Sequence, residues 1–234
     1  MNPQSKRLKT RDYSKTIVKK PWGFEYLVYQ NENIALWYLF LKYDNETSMH
    51  CHPNKTTGLI VLDGEVEVSF LGNIFKSGPL SKTMIRKGLF HSTRSISKEG
   101  SHIFEIETPV DKHDLIRLED KYGREGSPYE DETFEAPKRD DCLWIEEPRN
   151  GGSSEYYFCN CKIHLLTISD LNKLSINTPD ENIMFINGGI ITNDGKFVAQ
   201  AGDVITGKVL MKLALLFPKV VPNTTLMKIT RDEK

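Results

Sequence analysis

Ser48-Met49-His50-Cys51-His52-Pro53-Asn54-Lys55-Thr56-Thr57-Gly58-Leu59-Ile60-Val61-Leu62-Asp63-Gly64 places two histidines two residues apart beside a run of aliphatic and β-branched side chains. In a strand, side chains at i and i+2 point to the same face, so the His50 and His52 imidazoles can reach one point. A third histidine follows in Arg86-Lys87-Gly88-Leu89-Phe90-His91, where a glycine turn leads into a new strand. An antiparallel neighbour would bring it to the same point, and three neutral imidazoles leave further coordination positions open on a metal ion. The competing reading is a pair of solvated residues at a strand edge, which a bare H-x-H does not exclude.

The flanking sequence reads as strands. Phe24 to Tyr43 is dense in aromatic and aliphatic residues and is interrupted at Asn31-Glu32-Asn33, so two strands joined by a tight turn are expected. Leu59 to Leu62 reads as a buried strand and Asp63-Gly64 as a hairpin signal. Glu65-Val66-Glu67-Val68-Ser69-Phe70 alternates charged or polar with apolar side chains, as a half-buried strand does. Short strands and turns continue to Val110 without an amphipathic helix, a spacing that argues for a barrel or jelly roll.

From Glu125 to Asp141 the composition shifts to Ser, Pro, Glu, Asp and Lys, which reads as a linker. Beyond it the strand pattern returns as a faint repeat. Leu62-Asp63-Gly64-Glu65-Val66 lies over Ile186-Asn187-Gly188-Gly189-Ile190, and Trp37–Asp44 over Ile163–Asp170. The positions matching the three histidines hold Leu174, Ile176 and Leu215, so the second copy is expected to be degenerate. Val209, Leu210, Met211, Leu213, Leu215, Leu216 and Phe217 are expected to fill its interior.

Net charge is −1, so no global field favours nucleic acid or a membrane. The N-terminal segment carries Lys6, Arg7, Lys9, Arg11, Lys15, Lys19 and Lys20 without the apolar block of a signal peptide, and reads as a mobile basic arm. No apolar run is long enough to span a bilayer. Cys51, Cys142, Cys159 and Cys161 form no C-x-x-C pair, so free thiols in a cytoplasmic protein are expected.

The histidine stretch resembles the first motif of the cupin superfamily, in which H-x-H, a glutamate and a glycine build one edge of a small β-barrel. Gly64 falls on the motif glycine, and Thr57 stands in place of the glutamate. Gly88 and His91 match the second motif, P-x-G-x-x-H, with Arg86 at the proline. Lys20-Pro21-Trp22-Gly23-Phe24-Glu25 resembles the opening of the mannose-6-phosphate isomerase cupins, and His52-Pro53-Asn54-Lys55 the H-P-[ND]-K of the other isomerase type. Asp114-Leu115-Ile116-Arg117-Leu118-Glu119-Asp120-Lys121-Tyr122-Gly123-Arg124 resembles the tail of the isomerase domain fused to mannose-1-phosphate guanylyltransferases.

The resemblance implies an all-β chain of two tandem double-stranded β-helix barrels, the second degenerate. The expected divisions are a basic arm at 1–18, a metal-bearing barrel at 19–125, a linker at 126–142 and a degenerate barrel at 143–234. It also implies that His50, His52 and His91 hold a divalent ion, Zn, Fe, Mn or Ni, and that the substrate is a sugar phosphate or nucleotide sugar. No nucleic acid or membrane partner is expected, and a homodimer is left open.

Around that ion the sequence offers three sets of charged groups. Glu105 and Glu107 share one strand face after His91, and either is a candidate to move a proton or to replace the missing glutamate. Lys55 is a candidate for catalysis and for anion binding, with an exposed loop lysine as the alternative. Arg117 and Arg124, interleaved with acids beside Lys121, suit phosphate or mutual surface pairs. Trp22 is expected to close the barrel end, and His102, His113 and His164 to be structural. The leading expectation is a metal-dependent isomerase or epimerase. The alternatives are a three-histidine iron dioxygenase and a non-catalytic sugar-binding or regulatory protein.

Overall fold

The computed structural model describes residues 12–125, 134–135, 141–148, 152–171, 174, 176 and 179–232. In the front half the strands are β1 (Ile17–Lys20), β2 (Gly23–Gln30), β3 (Ala35–Leu41), β4 (Met49–Cys51), β5 (Thr56–Asp63) and β6 (Val66–Phe70). They continue with β7 (Asn73–Ser77), β8 (Lys82–Ile85), β9 (His91–Ser95), β10 (Ser101–Thr108) and β11 (Ile116–Glu119), and β12 (Phe134–Glu135) follows. One antiparallel sheet runs β12-β1-β2-β3-β10-β5-β8 and faces a second, β11-β4-β9-β6-β7. From β3 the chain alternates between the sheets until the β6–β7 hairpin and then retraces its path to β10, which closes the exposed edges into a barrel.

The side chains explain the two faces. Trp37, Leu39 and Leu41 of β3 enter the barrel core with Leu59, Val61, Val66, Val68 and Ile103. Leu36, Tyr38 and Phe40 alternate with them and pack on the opposite side against the second half, which is why β3 is apolar throughout. At the β5–β6 corner Gly64 has φ +80, and an added Cβ would stand 2.6 Å from the Gly100 carbonyl oxygen, so glycine is required there.

The second half is built from β13 (Ser153–Phe158), β14 (Cys161–Ile168), β15 (Asn182–Asn187), β16 (Gly189–Ile191) and β17 (Phe197–Gln200). After these come β18 (Val204–Thr206), helix α1 (Gly207–Leu216), β19 (Lys219–Val220) and β20 (Thr224–Arg231). Its sheets run β13-β14-β20-β15-β18 and β17-β16-β19, the order of β2-β3-β10-β5-β8 and of β7-β6-β9 in the front half. The register agrees down to a bulge: Leu62 is the extra residue beside the β10 pairing and Ile186 the extra residue beside the β20 pairing.

This register corrects the sequence overlay by one residue. Ile103 lies between Leu39 and Val61 as Leu226 lies between Leu166 and Phe185, so Trp37 corresponds to His164 and not to Ile163. A one-residue slip reverses every face, and Ile163 indeed packs toward the front half. By the same register Glu181 stands where the front half has Thr57, and Lys228 where it has Glu105. The counterpart of His91 is Leu216 rather than Leu215.

Helix α1 is the second departure. Its apolar run was expected inside a barrel, but the helical period sends it to both sides. Leu210 is buried and Leu213 and Phe217 pack on the second core with Leu174 and Ile176, whereas Leu215 and Leu216 are 85% and 70% exposed. Thr206 caps the helix, its hydroxyl accepting from the Val209 N–H at 3.3 Å.

The halves meet through one shared apolar layer with a polar rim. Asn31 Nδ2 donates to the Ile186 carbonyl at 3.0 Å, Lys82 Nζ to Val204 at 3.0 Å, Asn182 Nδ2 to Leu80 at 2.8 Å and Arg231 Nη1 to Leu62 at 3.1 Å. His102 stands at this junction with Nδ1 2.6 Å from the Tyr38 hydroxyl. Residues 1–11 of the expected basic arm lie outside the described residues; of the rest, Tyr13 is buried edge-on against Trp37, and Val18 is buried in β1. Most of the expected linker lies outside the described residues, and β12 within it pairs with β1. Among the described residues no helix is long and apolar enough to cross a membrane.

Candidate metal centre

β4, β9 and β11 bring the site together as one cross-strand row. His50 pairs directly with His91 on one side and with Arg117 on the other. His52, two residues beyond His50, turns to the same face, and the ring centroids stand 4.4 Å (His50–His91), 4.9 Å (His50–His52) and 5.6 Å (His52–His91) apart.

Backbone carbonyls fix all three rings. Nδ1 of His50 lies 2.7 Å from the Ser48 oxygen, Nδ1 of His52 2.6 Å from Asp114 and Nδ1 of His91 3.0 Å from Leu89. A carbonyl only accepts, so each Nδ1 carries the proton and each Nε2 keeps its lone pair for the cavity. Burial, with the Lys55 ammonium nearby, holds His52 down to about 4, and burial holds His91 down to about 4 against its Leu89 hydrogen bond. Burial and then the other two rings keep His50 well below its ordinary value. One ligand atom from each ring lies within 4.8 Å of the others, and the buried Nε2 of His52 has no hydrogen-bond partner among the described residues. Three neutral nitrogen donors aimed at one point fit a divalent cation.

The carboxylates face the histidines from β10. Glu107 stands directly across from Thr57, so a carboxylate occupies the strand beside the position where the motif glutamate is missing. His52, Glu105 and Glu107 also approach within 4.8 Å of one another. Glu107 is claimed by cations: Lys55 Nζ donates to it at 2.8 Å and Lys112 Nζ lies 3.8 Å away. Burial pushes Glu107 up, but Lys112 and Lys55 override it and hold it down at about 2. Glu105 goes the other way, raised by burial and by the Glu107 charge to about 7, with Lys112 opposing.

The charge chain runs on to groups the sequence did not single out. Lys112 Nζ sits 3.7 Å over the Trp37 ring and 3.3 Å from Glu25, and Glu25 lies 3.8 Å from Lys20. Lys112, Glu25 and Lys20 line, with the histidines and Glu105 and Glu107, a cavity of about 70 Å³ that also reaches Trp22, Arg117 and Arg124. Trp22 therefore faces the cavity and is buried in the barrel core. Lys55, 1% exposed, is not a loop lysine in solvent.

Asp114 was quoted in a motif without a role. Its carboxylate accepts from the Asn54 N–H at 2.8 Å, Asn54 Nδ2 at 2.9 Å and the Lys55 N–H at 2.9 Å, while its carbonyl holds His52. The Asp114 segment thus clamps the His52–Lys55 segment, which is the signal that two motifs far apart in sequence shared. Arg124 reaches the cavity, but its guanidinium forks onto Asp120 with Nε at 2.8 Å and Nη2 at 2.6 Å. Lys121 points out of the site to Glu46 at 3.0 Å.

No protein-family model and no curated protein sequence matches the chain. Among solved structures it is similar to KdgF from Halomonas sp., at 14% identity and TM-score 0.38 over 39% of this chain and 84% of that one. An RmlC-like cupin from Shewanella frigidimarina matches at 15% identity and TM-score 0.38 over 41% and 85%. A sugar phosphate isomerase of the cupin superfamily from Silicibacter pomeroyi matches at 10% identity and TM-score 0.35, over 37% of this chain and 59% of that one. The alternation of the chain between two facing antiparallel sheets is, on its own strand order, a double-stranded β-helix.

Proposed function

We propose that the front barrel is a metal-dependent isomerase or epimerase acting beside a carbonyl of a sugar phosphate or nucleotide sugar, and that the two halves are tandem copies of which the front alone keeps a reaction site. The shared strand order and bulge support the duplication. One observation carries the activity: a buried carboxylate, Glu105, stands within 4.8 Å of His52 beside the three converging histidines, and burial with the Glu107 charge raises it from the ordinary carboxylate range. A divalent ion held by His50, His52 and His91 would supply Lewis-acid polarisation of a substrate oxygen.

The chain's own groups do the rest. Ionised Glu105 takes the proton from the carbon next to the carbonyl, the C–H electron pair moves into the carbon skeleton, and the carboxyl, after exchanging its proton with solvent, returns one to a neighbouring carbon or to the same carbon. Nothing is oxidised or reduced overall. Lys55 and Lys112 keep Glu107 ionised, and that fixed charge holds Glu105 basic enough for the task. Arg117, in the row of His50 and at the cavity wall, is placed to meet a phosphate, and Arg124 less so because Asp120 occupies its fork. The small cavity admits the reacting end of a sugar while the rest lies at the mouth.

The test is proton exchange. Sugar phosphates and nucleotide sugars incubated with the tag-free protein in D₂O are expected to gain deuterium next to the carbonyl, with the signal lost in Glu105→Gln. Absence of exchange over the whole panel, in protein shown by elemental analysis to carry metal, sinks the isomerase reading. Equal metal content in His50→Ala and the parent defeats the ligand set. Turnover that stops without oxygen points to the dioxygenase instead.

A further inference from the structure

Helix α1 lies between β18 and β19, where the front half has only the short turn before His91, and one side of it plugs the second core through Leu210, Leu213 and Phe217. The other side is bare. Val209, Met211, Leu215 and Leu216 are 40%, 42%, 85% and 70% exposed. The helix, GKVLMKLALL, contains no acid; its only charges are Lys208 and Lys212, both exposed, and exposed Lys219 follows it. Lys219, which follows the helix, pairs with Ile191, whose other neighbour in the row is Phe197, 51% exposed.

We infer that this face docks on an anionic lipid surface. Aliphatic side chains interleaved with lysines, without a carboxylate among them, are complementary to a headgroup layer: the leucines enter the acyl boundary while the ammonium groups stay with the phosphates. The helix offers no arginine, aromatic ring or hydrogen-bonding side chain beyond its lysines, the oriented anchors that a protein partner uses. Its bare surface therefore suits an undirected phase. The near-zero net charge does not oppose this, because only charges within about 10 Å of the membrane contribute at ordinary salt.

Co-sedimentation of the full chain with phosphatidylcholine vesicles, with and without phosphatidylserine, tests the inference. Binding is expected on the serine-containing vesicles and is released by salt. Lys208→Gln and Lys212→Gln should each weaken it about fivefold. The double variant Leu215→Ser, Leu216→Ser should abolish it while circular dichroism and melting temperature stay at the parent values, since both side chains lie outside the core. A parent protein left in the supernatant with phosphatidylserine vesicles, or a double variant that binds as well as the parent, overturns the inference. Self-association by light scattering that the leucine variant removes, without vesicle binding, also overturns it and gives the face to a second copy of the chain.

Discussion

Glu105 must lose its proton before it can accept one from substrate, and its value of about 7 places that step in the neutral range. The rate constant kcat/KM is expected to climb with pH to a midpoint near neutrality. Glu105→Gln should remove that limb and lower kcat by about a hundredfold or more. The same group predicts a stability slope of opposite benefit. A carboxyl raised in the folded state keeps its proton after the unfolded chain has lost it, so its contribution is full below the ordinary carboxylate value and falls as pH rises through about 7. The histidines supply the reverse slope in metal-stripped protein. His52 and His91, lowered to about 4, stay neutral while the unfolded chain protonates, so stability should drop as pH falls from about 6.5 toward about 4. Melting temperatures of the stripped protein across that window check it, and a flat profile would show that the rings are not buried neutral.

At the level of strands and loops, Asp114 is the piece whose removal tells most. Asp114→Ala removes three hydrogen bonds to the segment that carries His52 and Lys55, and should cost about 2 kcal/mol. It should also weaken metal binding by about tenfold or more through loss of ring orientation, read by competition with a chelating dye. Unchanged affinity would mean that the His52 ring is positioned without the clamp. The strands β2, β3, β5 and β6 were legible because apolar runs, alternation and glycine turns each carry a local period. The three histidines were legible for the same reason: i and i+2 on one strand, and a glycine turn before the third. The charge chain around Glu107 was not, because Lys55 just before β5, Lys112 after β10 and Glu25 on β2 converge from separate segments, and no local pattern encodes that meeting. Helix α1 was missed because a short, mostly apolar run fits a buried strand or a helix equally well. Only its period, seen in which leucines are bare, separates the two.

For the molecule as a whole, the degenerate half is less blank than its leucines suggested. Glu181 and Lys228, buried and 3.3 Å apart, occupy the positions of Thr57 and Glu105, so the second interior keeps a polar pair with the charges rearranged. Its faint sequence repeat led to the right neighbourhood but one residue out on β14, where matching Asp44 to Asp170 at the end of the run favoured the wrong register. Leu36, Tyr38, Ile60, Leu62, Phe104 and Ile106 of the front barrel share one apolar cluster with Cys161, Ile163, Leu165, Met184, Ile186, Met227 and Ile229 of the second half. A shortened chain ending at residue 125 is therefore expected to bind a hydrophobic dye and aggregate, whereas a soluble monomer of that length would show that the front barrel stands alone. The two-sided burial of β3 makes the wall of the histidine-lined cavity also the mortar of the joint. Substitutions drifting into the rear half, far from any histidine, will reach the chemistry by loosening that common wall, and screens for altered turnover should find them there.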